Sequence, residues 1–394
     1  MTKGKVEIYE IPKNSASPED RRITDRNMKF CRFAYRIGNV FCITPWYDFE
    51  KKRLRWPVLN QVYAVVIGLA LGGLSVTTLL KMETEQKMNS FETILASLCS
   101  IISISLTEFL IFGSIFLKRK TYALFVERFC QDLHIAEWKY EYEGITLFYI
   151  QFIAGHIFFI AMASYNYFVF SMFGTANYHL KFVLQVATQY YCFLSALMAS
   201  NQLLAIKGKY RLLNKVLVNQ TKNGAQAEKE IVINILEVGK FYRSFTDTVG
   251  YYNDLFGWVT VFIFWHAIVQ LLRCPNLFLR TQLDSATFWM VFVEAFLVAA
   301  VSMGEAVYLV WCCQAATTAG KEIVPLCNKL QENFGPDSRA RDELFKLAYV
   351  AKTYEPTFTA ANFFVINKGT ILQLFNVATT YLIVIIQFYT ANSN

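Results

Sequence analysis

Seven stretches of the chain stay apolar for the length of a membrane crossing: 57–80, 91–117, 145–171, 181–206, 255–272, 288–312 and 369–390. A hydrocarbon core of about 30 Å needs roughly 20 mostly apolar residues in helical form. Each stretch is continuous and lacks the short alternation of a membrane-barrel strand. The pattern therefore predicts an all-α membrane protein with seven transmembrane helices. A different pattern fills the longer connections. In 229–243, Ile231, Ile235, Val238 and Tyr242 recur at steps of 4, 3 and 4, which is one face of a helix. Leu344, Leu347, Ala348 and Ala351 repeat it in 343–354. These faces predict long helices that run past the membrane and pack as a bundle. NGAQ at 223–226 and NFGPDSRAR at 333–341 read as the turns between them, with Gly335 and Pro336 as breakers.

Composition agrees with the pattern. The 394 residues are 55% hydrophobic and only 17% charged, against about 25% charged in ordinary soluble proteins. The first 30 residues are polar and lack the apolar core of a cleavable signal, so the first apolar stretch is expected to act as the insertion signal. The basic residues are not spread evenly. The N-terminal segment and the second-to-third, fourth-to-fifth and sixth-to-seventh connections hold 32 of the 38 Lys and Arg, and the other three connections hold 5. Cytoplasmic connections carry the positive excess, so the N-terminus is expected inside and the C-terminus outside. KKRLR at 51–55 strengthens this. The net charge of +8 then reflects topology and contact with anionic membrane lipid, and no nucleic-acid partner is expected. The orientation is opposite to that of G-protein-coupled receptors. Six residues after Phe388 leave no cytoplasmic tail, so no G protein is expected either.

The chain divides accordingly. Residues 1–56 form a cytoplasmic segment, and 57–312 the first six spans with their cytoplasmic extensions. Residues 313–368 form further cytoplasmic helices, and 369–394 the last span with a short outer tail.

Chemistry is sparse. Of nine cysteines only Cys274 falls in an outer connection, so no extracellular disulfide within one chain is expected. Cys312 and Cys313 read as ordinary wall thiols. The sequon at Asn219-Gln220-Thr221 lies on the cytoplasmic side and is expected to be unmodified. The four histidines show no metal-ligand spacing, and no HExxH, GxSxG, CxxC or phosphate-binding loop occurs. The chain reads as neither an enzyme nor a cofactor or metal protein. Glu108, Glu294 and Glu305 fall inside spans, where an acid is costly. They suit an ion path, a ligand site or hydrogen bonding among helices.

The outer halves of four spans mix aromatic and amide groups. Tyr165 and Asn166 lie in the third, Gln185, Gln189 and Tyr190 in the fourth, Trp265, His266 and Gln270 in the fifth, and Trp289 and Glu294 in the sixth. Aromatic faces with a few hydrogen-bonding groups suit a small polar organic ligand. An interfacial aromatic belt or plain core packing gives the same composition. The last span carries a sharper signal. Gln373, Asn376, Thr380, Val384 and Gln387 follow at steps of 3, 4, 4 and 3, a polar stripe along one helix face. In lipid such a stripe must face protein or water. Several copies around an axis make it the wall of a channel, with a ring of Gln387 amides and an apolar ring of Val384 next to it. Hydrogen bonding inside one chain is the alternative.

Thr380-Tyr381, five apolar residues and Gln387-Phe388 resemble the TYhhhhhQF signature of insect gustatory receptors, at the same place in the seventh span. AANFFVINKG at 360–369 is similar to that family's approach to the last helix, with Asn362 where the family often has Gly. The length, seven spans, inner N-terminus and near-absent tail resemble it too. The resemblance implies a tetrameric, ligand-gated cation channel of identical or related subunits in the plasma membrane of sensory neurons. The last helix would line the pore, residues 313–368 would anchor the subunits, and a small-molecule tastant would bind within each one. It implies Gln387 as filter and Val384 as gate, with Tyr381 and Phe388 packing the pore helix. Odorant receptors share this architecture. A secondary transporter using the intramembrane acids is a more distant alternative.

Overall fold

A computed structural model describes residues 33, 35–49, 51, 53–55, 57–85, 90–135, 144–172, 176–222, 228–278 and 285–393. The predicted turn at 223–226 lies outside the described residues. Helices dominate. In chain order they are α1 (Pro57–Glu85), α2 (Ser90–Glu108), a π-helical stretch (Phe109–Leu117), α3 (Arg119–Ile135), α4 (Gly144–Met172), α5 (Ala176–Lys222), α6 (Glu228–Phe278), α7 (Ser285–Lys321), α8 (Ile323–Gln331), α9 (Arg339–Thr353) and α10 (Lys368–Ser393). Two short antiparallel hairpins, β1 (Tyr47–Asp48) with β2 (Arg53–Leu54) and β3 (Thr359–Ala360) with β4 (Phe364–Val365), complete the fold. Among the described residues, seven helices are long and apolar enough to cross a membrane. Each of the seven predicted spans falls on one of them.

The expected helix running past the membrane is found: the amphipathic 229–243 segment and the fifth span are a single unbroken helix, α6, of 51 residues. At 1.5 Å per residue it is about 75 Å long, more than twice a bilayer core. No proline occurs in 244–254 to break it, and Thr246 and Thr248 fold their hydroxyls back onto the carbonyls of Tyr242 and Ser244. The same continuity carries α6 through Cys274, which lies on the helix and is buried against Ala295 and Ala299 rather than in a connection. Cys312 and Cys313 are fully buried in the main core.

That core runs from within the spans, with Leu106, Leu194, Val259 and Ile263, to where α5, α6 and α7 extend past their apolar stretches and meet α8 and α9. Ile231, Ile235, Val238 and Tyr242 of α6 are buried, as are Leu344, Leu347, Ala348 and Ala351 of α9. The two predicted faces pack in one cluster. Tyr242 sends its hydroxyl to Ala351 O at 3.2 Å, and Tyr210 lies 5.6 Å from its ring. At the near end of α6, the Glu228 carboxylate accepts from Ser338 Oγ at 2.6 Å and from the Ala340 amide at 3.4 Å, satisfying the start of α9.

The connection into α10 is tied down in the same way. Asn253 of α6 donates to Thr357 O at 2.8 Å and accepts from Thr359 N at 3.1 Å. Phe358 is fully buried, edge-on to Tyr252. The β3–β4 turn places Ala361 (φ 49°) and Asn362 (φ 63°) in the left-handed region. A Phe363 N to Ala360 O bond of 2.9 Å closes the turn, as in a tight hairpin with two positive φ values. This accounts for glycine as the usual residue of the resembled family at Asn362, since glycine enters that region without cost. Asn tolerates it next best. Gly257 of α6 lies directly beneath: a Cβ there would stand 2.7 Å from Ala361 N. Asn367 then starts α10, its Oδ1 accepting from Gly369 N at 2.8 Å.

Candidate functional site

Two features carry the candidate residues: a small cavity among α4, α5, α6 and α7, and one face of α10.

The cavity is lined by Phe159 and Met162 of α4, Gln189, Cys192 and Phe193 of α5, His266 of α6, and Val298, Val301, Ser302 and Glu305 of α7. Its volume of about 10 Å³ is near the least that holds one water. A polar chain crosses it. Gln270 Nε2 donates to His266 Nε2 at 3.1 Å. His266 Nδ1 lies 3.7 Å from Cys192 Sγ, which donates to Glu305 Oε2 at 3.6 Å. Gln189 is buried, and neither of its amide atoms has a hydrogen-bond partner among the described residues. A buried, unsatisfied amide is costly. Here it presents both a donor and an acceptor to whatever enters.

Of the residues expected from sequence, Gln189 and His266 line this cavity together. Tyr190 stands beside it: its hydroxyl is 3.0 Å from His156 Nε2, and its ring is 5.2 Å from Phe159. Glu294 and Tyr165 lie farther along the bundle. Glu294 accepts from Gln185 at 3.1 Å and pairs with Arg273 at 3.5 Å. Tyr165 donates to Met290 O at 3.1 Å. Asn166 is fully buried, with both amide atoms unpartnered among the described residues. Trp265 and Trp289 are 58% and 56% exposed and stand on the outer surface of the chain, away from the cavity. Consecutive helix positions point about 100° apart, so burying His266 turns Trp265 outward.

Glu305 was legible only as an intramembrane acid, and Cys192 and Ser302 carried no signal of their own. Glu294, Val298, Ser302 and Glu305 do share one face of α7 at steps of 4, 4 and 3. That spacing was available before the structure.

On α10 the burial pattern divides the helix into three sectors. Thr370, Leu374, Ala378 and Ile385 are buried, and Ile371 and Leu382 are half-buried. They form one face, packed on α6 and neighbouring helices. Ile385 and Leu382 meet Val269 and Leu272. Gln373, Asn376, Thr380, Val384 and Gln387 are all exposed in the single chain. At about 100° per residue their stripe centres roughly 145° from the buried face. Between the two lies an exposed apolar sector with Leu372, Ile383 and Ile386. Tyr381 is 56% exposed at the edge of the buried face. Phe388 is in α10, and its side chain lies outside the described residues.

A family model described as 7tm chemosensory receptor matches residues 31–392. No curated protein sequence matches the chain. Among solved structures, it is similar to the insect olfactory receptor OR5 from Machilis hrabei, with a TM-score of 0.62 and 12% identity over 93% of this chain and 99% of that one. The same receptor solved in complex with eugenol gives a TM-score of 0.59 and 13% identity over 92% and 99%.

Proposed function

The chain belongs to the 7tm chemosensory receptor family, a family of receptors and not of enzymes, and on that premise we propose that it is a gustatory receptor. In this reading it is a ligand-gated, non-selective cation channel that detects a small-molecule tastant and depolarises a sensory neuron. The observation that carries the reading is the α10 stripe: five positions, four of them polar, point away from the chain's own bundle. In a lone chain they would face lipid. Four copies around an axis turn them into a water-lined wall. The apolar sector beside the stripe then packs against neighbouring subunits, identical or related. The choice of gustatory over odorant receptor rests on Thr380-Tyr381 and Gln387-Phe388. The fold likeness to an olfactory receptor keeps odorant reception as the second reading.

The ligand enters the cavity among α4 to α7, from the side that the distribution of basic residues assigns to the exterior. OR5 was solved with eugenol, a small organic molecule, and this chain's cavity has aromatic walls in Phe159 and Phe193 and one unpaired amide, Gln189. At about 10 Å³ the cavity must open to admit one. A ligand that prefers the opened arrangement shifts the closed–open equilibrium by its differential affinity. The α10 helices splay, the Val384 ring rehydrates, and cations pass the Gln387 ring. Residues 313–368 hold the subunits together on the cytoplasmic side.

The test is electrical recording from cells expressing the receptor under a panel of sugars, bitter compounds and volatiles. Gln387→Glu is expected to change cation permeability ratios, and Val384→Ser to raise basal current. Unchanged selectivity in Gln387→Glu removes that residue from the filter. A response only to volatiles selects the odorant reading.

A further inference from the structure

A second recess lies between α1 and α2 and shares no lining residue with the α4–α7 cavity. It has a volume of about 430 Å³, within the range of sites for drug-sized ligands. Its rim is apolar and open: Leu69, Val76 and Ile101 are 68%, 56% and 49% exposed. Its floor is the face of α1 formed by Gly68, Gly72 and Gly73. Among the described residues lining it, Glu108 is the sole ionisable group.

The glycines explain how an acid comes to lie there. A Cβ on Gly68 would stand 2.6 Å from the Phe112 ring and 3.1 Å from Glu108 Oε2, and one on Gly72 3.1 Å from Oε1. The carboxyl therefore rests across the bare backbone of α1, near the middle of that span. Oε1 is shielded from solvent and has no hydrogen-bond partner among the described residues. Glu108 also closes α2 where the chain widens into the π-helical stretch, a geometry that recurs at functional sites. An acid at mid-membrane depth is costly unless paired, and no basic residue lines the recess.

We propose that this recess binds a lipid-soluble amine, its ammonium group paired with Glu108 and its hydrocarbon body held between α1 and α2. Charge complementarity selects the cation, because an ammonium supplies the charged partner that the carboxyl, with no basic residue lining the recess, lacks. Gly73, where a Cβ would meet nothing within 4 Å, leaves open space on the α1 side. The apolar rim suits an aliphatic or aromatic body arriving from the bilayer. The site is independent of the α4–α7 cavity and of the pore reading.

The experiment is equilibrium binding of radiolabelled dodecylamine to the full-length receptor in lipid nanodiscs, with dodecanol as competitor. Binding is read without recording current, so it stands or falls apart from channel function. Saturable binding is expected, with dodecanol competing at least about tenfold more weakly, the scale of one charge-assisted hydrogen bond. Glu108→Gln is expected to weaken dodecylamine by a similar factor. Gly73→Phe is expected to weaken it as well: a Cβ at Gly73 meets nothing within 4 Å, so the ring fills the recess without disturbing the fold. If Glu108→Gln does not fold, Gly73→Phe and the alcohol competition decide. Unchanged affinity in either folded variant, equal competition by dodecanol, or no saturable binding, as when a neighbouring subunit covers the recess, overturns the proposal.

Discussion

α6 and α10 are both apolar enough to cross a membrane, yet they are built to opposite ends. Over their most apolar stretches, 67% of α6 is buried within the chain and only 22% of α10. α6 is enclosed: along its N-terminal half Tyr242, Phe245, Val249 and Tyr252 are all buried, and Tyr242 and Asn253 bind backbone groups of the segments beside it. α10 closes one face on α6 and leaves a polar stripe and an apolar sector open. The difference is one of completeness. α6 finishes its packing inside one chain, so its sequence answers to stability. α10 leaves those sides open in the single chain, and in the proposed reading neighbouring subunits and the pore cover them. Substitutions on the two should therefore separate folding from function.

The largest effect is expected at the base of the bundle. Leu344→Ala removes a fully buried side chain from the α6–α9 contact and should cost about 2–5 kcal/mol, seen as a lower thermal midpoint of the detergent-solubilised receptor. Its neighbour Phe345 is 65% exposed. Phe345→Ala should stay within about 0.5 kcal/mol unless that face is a subunit contact, in which case the oligomer dissociates while the protomer stays folded. Next comes Gly257→Val, which forces a side chain against the Ala361 backbone. Overpacking of this kind costs about 1–3 kcal/mol. Because the hairpin leads into α10, the variant should also blunt ligand-evoked current in the protein that does fold. In the opposite direction, Ala361→Gly relieves a non-glycine residue at φ 49° and should stabilise by up to about 1 kcal/mol. The smallest stability effect is expected for Gln387→Ala, within about 0.5 kcal/mol, with permeation altered none the less. A large stability loss at Gln387, or normal stability in Leu344→Ala, would break the contrast between the two helices.

Much of this was legible in the pattern of side chains. Apolar runs marked every span, and the steps of 3 and 4 marked the faces of α6 and α9 that now meet. The same arithmetic isolated the α10 stripe. Pairing residues across helices was beyond it. Trp265 and His266 looked alike as neighbours, and the fold buries one and exposes the other. Cys192 entered the polar chain through partners 74 and 113 residues away, a juxtaposition that no local spacing encodes. Glu108, Glu294 and Glu305 formed one class in the sequence. The structure separates them into an open recess between α1 and α2, an ion pair with Arg273, and a cavity wall.

The sequence by itself determined what each segment is, because hydrophobic length and periodicity act locally and fix helix, span and face. Only the tertiary structure decided which faces meet and which stay open, because packing is settled between residues far apart in the chain. That is why α10 could be recognised as amphipathic from its residues, while the direction of its polar side, away from its own bundle, had to be seen.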